Sequence, residues 1–339
     1  MKVLFYSIKE YESSSLLNEN NNRFDVTLET KALSLQTADL AKGFDAVCIF
    51  ANDDASAAVI ESLKKNGVRY IAIRAAGFDN VDIAAANEAE IVVANVPQYS
   101  PHAIAEHAIL MMLALNRKLI LSHEQVCRKD FTVNKLVGFD MYKKKVGIIG
   151  TGKIGSIVAK ILHGFGCTIM AYDAVEDVHL MNNYDVHYVG LNTLCSFSDI
   201  ITIHVPLNKE TKYLVNEKLI RQMKKGAMLI NTARGAIVKT DDVLAALQSG
   251  QIGSYAMDVY EREKGIFFYD YSGKNLDDPL LTTLLNMPNV LVTPHQAFAT
   301  SDALKNIAST TFASVASWSE NDLSSTELTY RKVSERLVT

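Results

Sequence analysis

The sequence predicts an α/β fold made of two domains, each built on a doubly wound parallel sheet. Three observations support this prediction. The chain has 339 residues, whereas a single hydrophobic core usually stops growing near ~250 to 300 residues. Short β-branched runs alternate with helical patterns, which is typical of parallel strands joined by crossover helices. A glycine-rich turn between a strand and a helix begins only at residue 150, so another domain is expected before it.

The first third of the chain carries five apolar runs that predict strands. They occupy residues 2–7, 24–29, 45–50, 69–74 and 91–96. Between the third and fourth runs, residues 55–67 predict a helix, with Val59, Ile60 and Leu63 on one face. Lysines near its end and Gly67 as a C-cap predict where this helix stops. These elements together predict a complete small α/β unit.

A second series of strands follows a long amphipathic segment. Residues 101–121 predict a helix, because Pro101 suits a first helical position and apolar side chains then recur at helical spacing. Six predicted strands come next, at residues 145–150, 168–173, 199–206, 227–233, 254–260 and 289–295. Residues 262–280 are irregular and are predicted to form a surface excursion. Six strands separated by helices match a doubly wound nucleotide-binding sheet.

Composition and charge exclude several classes of function. The chain is 48% hydrophobic and 21% charged, and its net charge of -4 gives no electrostatic reason to bind nucleic acid or an anionic membrane. The N-terminal apolar run is too short for a signal peptide, and no run approaches the ~18 residues of a membrane span. The four cysteines have no metal-ligand or disulfide spacing. We therefore expect a cytoplasmic protein without a metal site.

The sequence GIIGTGKIG has the glycine spacing of a dinucleotide-binding turn, and it follows a strand and opens a helix. Gly150 allows the tight turn, Gly152 lets the backbone approach a pyrophosphate, and Gly155 lets helix and strand pack closely. The helix N-terminus then presents N–H groups to the phosphates. Asp173 ends the next predicted strand, where a carboxylate accepts ribose hydroxyls and repels a 2′-phosphate. The Rossmann fingerprint therefore predicts NAD rather than NADP as cofactor.

Ligands of open α/β sheets bind beyond the carboxyl ends of the strands, so the residues there are candidates for catalysis. In the second series they include Asp173, His204, Val205, Pro206, Thr232, Ala233, Arg234, Asp258, Glu263 and His295. The guanidinium of Arg234 suits a substrate carboxylate or a carbonyl, and a histidine can transfer the proton. His204 and His295 are the two contenders for that role. The other histidines are predicted to lie away from the strand ends: His102, His107, His123, His163, His179 and His187.

Several separate motifs occur in an order that resembles the D-2-hydroxyacid dehydrogenase family, and within it the bacterial fermentative D-lactate dehydrogenases. They are RAAGFDNVD, VPQYSPHAIAEHA, GIIGTGKIG, HVPL, NTARGAI, MDVYEREKG and TPHQAF. The resemblance implies a Rossmann NAD domain, residues 100–298, inserted into a flavodoxin-like substrate domain, residues 1–99 and 299–339. It also implies that a helix over 300–319 returns the chain to the first domain.

The resemblance implies a catalytic set of Arg234, Glu263 and His295. Glu263 falls five positions after Asp258, as in the family, and the nearer Glu261 is the alternative. A carboxylate bonded to His295 would raise the pKa of the imidazole and keep a proton ready for the carbonyl oxygen. Arg234 would bind the substrate carboxylate and polarise the ketone as hydride arrives from NADH.

The resemblance also implies further contacts. For the cofactor these are Gly150, Gly152, Lys153 through its backbone N–H, Ile154, Gly155, Asp173, Val205, Pro206, Thr211, Thr232, Ala233, Arg234 and Asp258. For the substrate they are Ala76, Gly77, Tyr99, Arg234, His295 and Phe298. The loop FANDDAS after the third strand has no cation where enzymes for 2-hydroxyglutarate carry an arginine, so pyruvate and D-lactate fit better than 2-oxoglutarate.

Three further expectations follow from the family. A larger 2-oxo acid, such as phenylpyruvate or 2-oxoisocaproate, is the alternative substrate. An NADH-sensing corepressor-like scaffold is a remote alternative, because that class shares the fold and similar motifs. A homodimer or homotetramer is expected, with the long helix after Pro101 in the interface.

Overall fold

The computed structural model describes residues 1–328 of the chain. These residues form two compact units, one made of Met1–Ser100 with the chain from Ala299 onward, and the other of Pro101–Phe298. The predicted return segment 299–339 extends past this range, and its last part, 329–339, lies outside the described residues. Within residues 1–328, no helix is long and apolar enough to cross a membrane.

The first unit is built on a parallel sheet of five strands. The strands are β1 (Lys2–Phe5), β2 (Asp25–Leu28), β3 (Ala46–Ile49), β4 (Tyr70–Ile73) and β5 (Val92–Asn95). Their order in the sheet is β2-β1-β3-β4-β5, which is the flavodoxin-like doubly wound order. All four residues of β3 are buried, because helices cover both faces of a parallel sheet.

Helices α1 (Glu10–Asn20), α2 (Ala57–Lys65) and α3 (Ile83–Glu88) connect these strands. The predicted helix over 55–67 corresponds to α2, whose buried face is Val59, Ile60 and Leu63 as expected. Its C-cap residue is Asn66, and Gly67 follows at φ +90°, so glycine provides the left-handed residue that ends the helix.

The long helix predicted over 101–121 is shorter than expected. Helix α4 (Pro101–Asn116) stops at Asn116, and a separate α5 (Leu119–Cys127) follows Lys118, which adopts a left-handed φ of 49°. The Asn116 side chain donates to Phe139 O at 2.8 Å and accepts from Phe139 N at 2.9 Å. The amide thus binds a later segment at the point where the helix ends, a contact that helical spacing does not reveal.

The second unit contains a parallel sheet of seven strands. They are β6 (Lys145–Ile149), β7 (Thr168–Tyr172), β8 (Val186–Tyr188), β9 (Ile200–Ile203), β10 (Ala227–Asn231), β11 (Ile252–Met257) and β12 (Val290–Val292). The order is β12-β11-β10-β9-β6-β7-β8. Strands β6 to β8 are therefore added toward one edge of the sheet and β9 to β12 toward the other, and the order of winding reverses between the neighbours β6 and β9. Ligands of doubly wound sheets bind at such a switch point. Strand β8 was not predicted, because three residues with one fully buried side chain give no periodic signal. The predicted fold class of two doubly wound parallel sheets is confirmed.

Helices of the second unit cover the faces of its sheet. They are α6 (Lys153–Gly164), α7 (Val178–Tyr184), α8 (Leu191–Phe197), α9 (Glu217–Ile220), α10 (Thr240–Ser249) and α11 (Pro279–Leu285). The segment 262–280 is not wholly a surface excursion as expected, because the Phe267 side chain is buried in the core on one face of the sheet.

The last helix, α12 (Ser301–Ser319), belongs to the first unit. Thr300 caps it by accepting from Ala303 N. Its apolar face packs on the first sheet: the ring centroids of Phe312 and Phe5 are 5.6 Å apart, and those of Trp318 and Tyr70 are 4.8 Å apart.

Candidate active site

Each of the three glycines in the turn after β6 has a different steric environment. Gly150 adopts a φ of +94°, and a Cβ there would lie 2.8 Å from His204 O. A Cβ on Gly155 would overlap Gly150 O, so the first turn of α6 packs directly against the end of the strand. Gly152 faces open space, with no heavy atom within 4 Å of an added Cβ. The steric roles predicted for Gly150 and Gly155 are seen directly, and the approach of a pyrophosphate to Gly152 stays a prediction.

The N-terminus of α6 and a buried hydroxyl just after β10 have features that suit a dinucleotide. Gly152 is the N-cap residue of α6 and has no side chain, so no capping side chain covers the first turn of this helix. The N–H groups of such a first turn and the helix dipole bind phosphate. Thr232 Oγ1 is buried and has no hydrogen-bond partner among the described residues. An open glycine face, an uncapped helix and an orphaned hydroxyl are features that a bound NAD would satisfy.

Asp173 follows β7, and its carboxylate is tied to the glycine turn. Its Oδ2 accepts from Thr151 N at 2.6 Å and lies 3.2 Å from Thr151 Oγ1. Thr151 Oγ1 in turn lies 2.8 Å from the hydroxyl of Tyr188, on β8. Neither Thr151 nor Tyr188 was predicted as a site residue, because only the sheet order makes β8 a neighbour of β7.

The loop after β9 holds the first histidine contender. Burial lowers the pKa of His204 to about 3, so its ring is neutral at pH 7. Its Nε2 lies 2.9 Å from Thr202 Oγ1, and its enclosed Nδ1 has no partner within residues 1–328. Val205 and Pro206 follow, and Thr211 Oγ1 donates to Pro206 O at 2.6 Å, which closes this loop. A neutral, enclosed imidazole is poorly suited to passing a proton to a substrate.

His295 has a carboxylate partner, whereas the partner of His204 is a hydroxyl group. Its Nδ1 lies 2.8 Å from Glu263 Oε1, while Glu263 Oε2 accepts from Tyr260 N at 2.9 Å. An ionised carboxylate only accepts hydrogen bonds, so Nδ1 carries the proton and Nε2 remains for a substrate. The alternative, Glu261, instead accepts from Thr240 N at 3.2 Å. Of the two glutamates, Glu263 therefore has the geometry of a histidine partner.

Register places the segments that carry the catalytic candidates side by side. Asn231, Met257 and Val292 are lateral partners at the carboxyl ends of β10, β11 and β12. Arg234 follows the first of these strands and His295 the last. The turn before Arg234 is fixed by buried Asn231, whose Nδ2 donates to Arg234 O at 3.0 Å and whose Oδ1 accepts from Ala233 N at 3.1 Å.

Asp258 is fully buried and holds the segment that contains His295. Its carboxylate accepts from Thr293 Oγ1 at 2.6 Å, Gln296 N at 2.8 Å and Ala297 N at 2.9 Å. These contacts surround His295, whose φ of 53° is unfavourable for a non-glycine residue. Asp258 therefore contributes to placing the imidazole, and its predicted contact with the cofactor amide stays a prediction.

Two more side chains near His295 were not predicted. His107, on α4, has its Nε2 3.1 Å from Thr293 Oγ1 and 3.4 Å from Asp258 Oδ1, so the expectation that it lies away from the strand ends was wrong. The Phe268 ring centroid lies 5.8 Å from that of His295, and Phe268 also has a positive φ, of 69°. Strained backbone at such a site is typical of a functional constraint.

In the first unit, the predicted substrate loop follows β4 and rests on a buried ion pair. Arg74 is buried and donates to both carboxylate oxygens of Glu12, at 3.1 and 3.2 Å. Asn95 Nδ2 donates to Ala76 O at 2.7 Å, beside Gly77. Tyr99 O accepts from Asn306 Nδ2 of α12 at 2.7 Å.

The loop FANDDAS after β3 is shaped by a buried carboxylate. Asp53 accepts from Ser7 Oγ at 2.6 Å, Phe50 N at 2.6 Å and Leu33 N at 2.7 Å, and burial raises the pKa of this carboxyl group. Asp53 therefore serves the structure of the loop and is not presented to a ligand. Elsewhere in this loop, Asn52 and Asp54 are partly exposed.

Phe298 is buried and ends the second unit. The predicted substrate contacts of Ala76, Gly77, Tyr99 and Phe298 stay predictions.

Within residues 1–328, no group of three or more His, Cys, Asp or Glu side chains could hold a metal ion.

Comparisons with known proteins identify the family of the chain. Residues 109–297 match the model of the D-isomer specific 2-hydroxyacid dehydrogenase NAD binding domain. The D-lactate dehydrogenase of Escherichia coli K12 is 43% identical over 329 residues, which are 97% of this chain and 100% of the relative.

Three solved structures are similar over nearly the full chain. The pyruvate reductase of Chlamydomonas reinhardtii has a TM-score of 0.91 at 40% identity, covering 96% of this chain and 98% of its own. A D-lactate dehydrogenase of Aquifex aeolicus, complexed with NAD and lactic acid, has a TM-score of 0.84 at 30% identity, covering 94% and 96%. A D-2-hydroxyisocaproate dehydrogenase has a TM-score of 0.84 at 32% identity, covering 97% and 100%.

Proposed function

The chain belongs to the D-isomer specific 2-hydroxyacid dehydrogenase family and is an NAD-dependent oxidoreductase, and we propose that it interconverts pyruvate and D-lactate. The observation that carries this proposal is the 2.8 Å contact between His295 Nδ1 and Glu263 Oε1, at the strand edge that also bears Arg234. The similar proteins described as a pyruvate reductase and as D-lactate dehydrogenases support this choice of substrate.

Each catalytic residue has one task in the proposed reduction. Arg234 binds the substrate carboxylate through its planar guanidinium and polarises the ketone. His295 donates a proton from Nε2 to the carbonyl oxygen, which becomes the hydroxyl of the product. Glu263 keeps the Nδ1 proton in place and stabilises the imidazolium with its negative charge. NADH, when bound, supplies the hydride to the carbonyl carbon. In the oxidation of D-lactate, His295 instead accepts the hydroxyl proton.

A substrate comparison tests the proposal. We expect kcat/KM with NADH to be highest for pyruvate and lower by about tenfold or more for 2-oxoglutarate, because the loop after β3 offers no cation to a second carboxylate. D-lactate, and not L-lactate, should reduce NAD. The change in NADH absorbance measures all of these rates, as a loss during 2-oxo acid reduction and as a gain during lactate oxidation. A higher kcat/KM for phenylpyruvate or 2-oxoisocaproate would favour the alternative substrate class, as in the similar D-2-hydroxyisocaproate dehydrogenase.

The same assay addresses the remote alternative of an NADH-sensing scaffold. Family membership favours the enzyme, and rapid NADH oxidation on adding pyruvate would exclude the scaffold as the main role. We also propose that the enzyme works in the cytoplasm, as a fermentative reductase that regenerates NAD.

We propose that the chain forms a homodimer, alone or within a homotetramer. Eight large apolar side chains between residues 110 and 142 are exposed, an unusual concentration for one segment of a monomer. They are Leu110, Leu119, Ile120, Val126, Phe131, Val133, Val137 and Tyr142. This segment includes the end of α4 and all of α5, and α4 is the helix predicted to lie in an interface.

Light scattering tests the dimer. The wild-type chain should give at least twice the chain mass of 37.4 kDa, and Phe131→Glu combined with Val133→Glu should give a single chain mass. Leu285→Glu, at an exposed position on α11, is the matched control and should leave the mass of the assembly unchanged. A wild-type mass of 37.4 kDa at micromolar concentration would contradict the proposal.

A further inference from the structure

Tyr188 links three segments of the second unit through its hydroxyl group. It ends β8 and is the lateral partner of Ala171 on β7, two positions before Asp173. The Tyr188 Oη atom lies 2.8 Å from Thr151 Oγ1, in the glycine turn, and accepts from Asp177 N at 3.0 Å. The tyrosine therefore connects the glycine turn with the segment that follows Asp173.

One direction satisfies both side-chain hydrogen bonds of the Thr151 hydroxyl. The Asp173 carboxylate accepts hydrogen bonds and cannot donate them, so the Thr151 hydroxyl donates to Asp173 Oδ2, 3.2 Å away. The same hydroxyl has no second proton and must accept from Tyr188. Tyr188 donates to Thr151 and accepts from the Asp177 N–H. The result is a directed chain from the Asp177 N–H through Tyr188 and Thr151 to Asp173.

This chain restrains the Asp173 carboxylate. Oδ2 takes two donors from Thr151, at 2.6 and 3.2 Å, and Oδ1 accepts from Val175 N at 3.2 Å. A carboxylate offers about four acceptor positions, so these protein donors occupy three of them. The remaining acceptor capacity lies on Oδ1. Rotation of the carboxylate would break at least one of these bonds, and its charge is therefore held at one place beyond the end of β7.

We propose that Tyr188 is a positioning residue for the choice of NADH over NADPH, acting through Thr151 on Asp173. The inference rests on the proposed role of Asp173 as acceptor of an adenosine ribose hydroxyl. A restrained carboxylate accepts from the 2′-hydroxyl of NADH and repels the 2′-phosphate of NADPH. If Asp173 can rotate, the attraction and the repulsion both weaken, so the preference between the two cofactors decreases.

Direct binding measurements with Tyr188→Phe test the inference without turnover. Titrating the protein against the fluorescence of NADH or NADPH gives both dissociation constants. We expect Tyr188→Phe to weaken NADH binding by about three- to tenfold, the effect of one lost hydrogen bond. NADPH binding should be unchanged or tighter, because the repulsion of its 2′-phosphate also weakens, so the ratio of the two constants should change by about threefold or more. The kcat at saturating NADH should stay within about twofold of wild type, because no reacting atom is moved.

Tyr184→Phe is the matched control in the same region. Tyr184 contacts its neighbours through its ring, which lies 5.6 Å from Lys160 Nζ and 5.6 Å from the His163 ring. Both dissociation constants should be unchanged in this variant. If Tyr188→Phe fails to fold, Thr151→Val interrupts the same chain one link closer to Asp173 and should change the ratio in the same direction.

Asp173→Asn separates this inference from the proposal on which it rests. We expect it to lower the preference for NADH more than Tyr188→Phe does, because it removes the charge itself. If Asp173→Asn leaves the preference unchanged, the ribose-binding role of Asp173 is wrong. If Asp173→Asn lowers the preference while Tyr188→Phe weakens both cofactors equally, or neither, the positioning role of Tyr188 is overturned and the role of Asp173 stands.

Discussion

Replacing His295 with glutamine is expected to lower kcat for 2-oxo acid reduction by about 10² to 10⁴, the usual contribution of a positioned general acid. Glutamine occupies a similar volume and can still donate a hydrogen bond toward Glu263, whose Oε1 lies 2.8 Å from His295 Nδ1 in the wild type. It offers no transferable proton to the carbonyl oxygen. The effect should therefore fall on turnover, while the dissociation constant of NADH stays close to that of the wild type.

Steady-state kinetics and NADH fluorescence titration together measure this separation. His179→Gln is the matched control, because His179 is an exposed histidine on α7 whose ring contacts Asn183. It should retain wild-type turnover. Wild-type kcat in His295→Gln would remove His295 from the mechanism, and an equally large loss in His179→Gln would indicate a general effect of removing a histidine.

Gly155→Ala should be the most damaging single-methyl substitution in the nucleotide-binding turn. The added Cβ would overlap the backbone oxygen of Gly150, and backbone cannot move aside as a flexible side chain can. Helix α6 would have to shift away from β6, at a cost of about 3 kcal/mol, the upper range for overpacking. We expect an apparent Tm lower by roughly 6 to 12 °C and a large loss of NADH affinity, since the helix N-terminus would be displaced.

Gly164→Ala provides the control on the same helix. Gly164 is the last residue of α6, and an added Cβ there meets no heavy atom within 4 Å. Alanine favours helix over glycine, so this variant should be as stable as the wild type or slightly more stable. Thermal unfolding and NADH titration compare the two variants. Equal values of Tm and affinity for both would show that the close approach of helix and strand does not constrain residue 155.

The fold class was predictable because its signals are local along the chain. Alternating apolar runs, the glycine spacing of residues 150–155 and the acidic residue at 173 each occupy a short window. The features that were not predicted lack such a local signal. Strand β8 has only three residues, and α4 ends at Asn116, whose side-chain amide binds Phe139. Neither property follows from the periodicity of the segment itself.

In the candidate site too, residues within motifs were predicted and a residue known only through a long-range contact was not. Arg234, Glu263 and His295 were identified from motifs, and the structure shows Glu263, and not Glu261, beside His295. His107 escaped notice because its partner Thr293 is 186 positions away along the chain. Pairings of this kind depend on which helix covers which strand end.

The sequence by itself determined the alternation of strands and helices, the dinucleotide-binding turn and the residues whose chemistry suits hydride and proton transfer. Only the tertiary structure decided which other side chains hold these segments and residues in place. It made Asp258 the buried acceptor that holds the segment around His295, made Asp53 a structural carboxylate, and joined Thr151 to Tyr188 across 37 positions. The physical reason is that short-range patterns fix local conformation, whereas hydrogen bonds between distant residues exist only after sheet order and register have made neighbours of their strands.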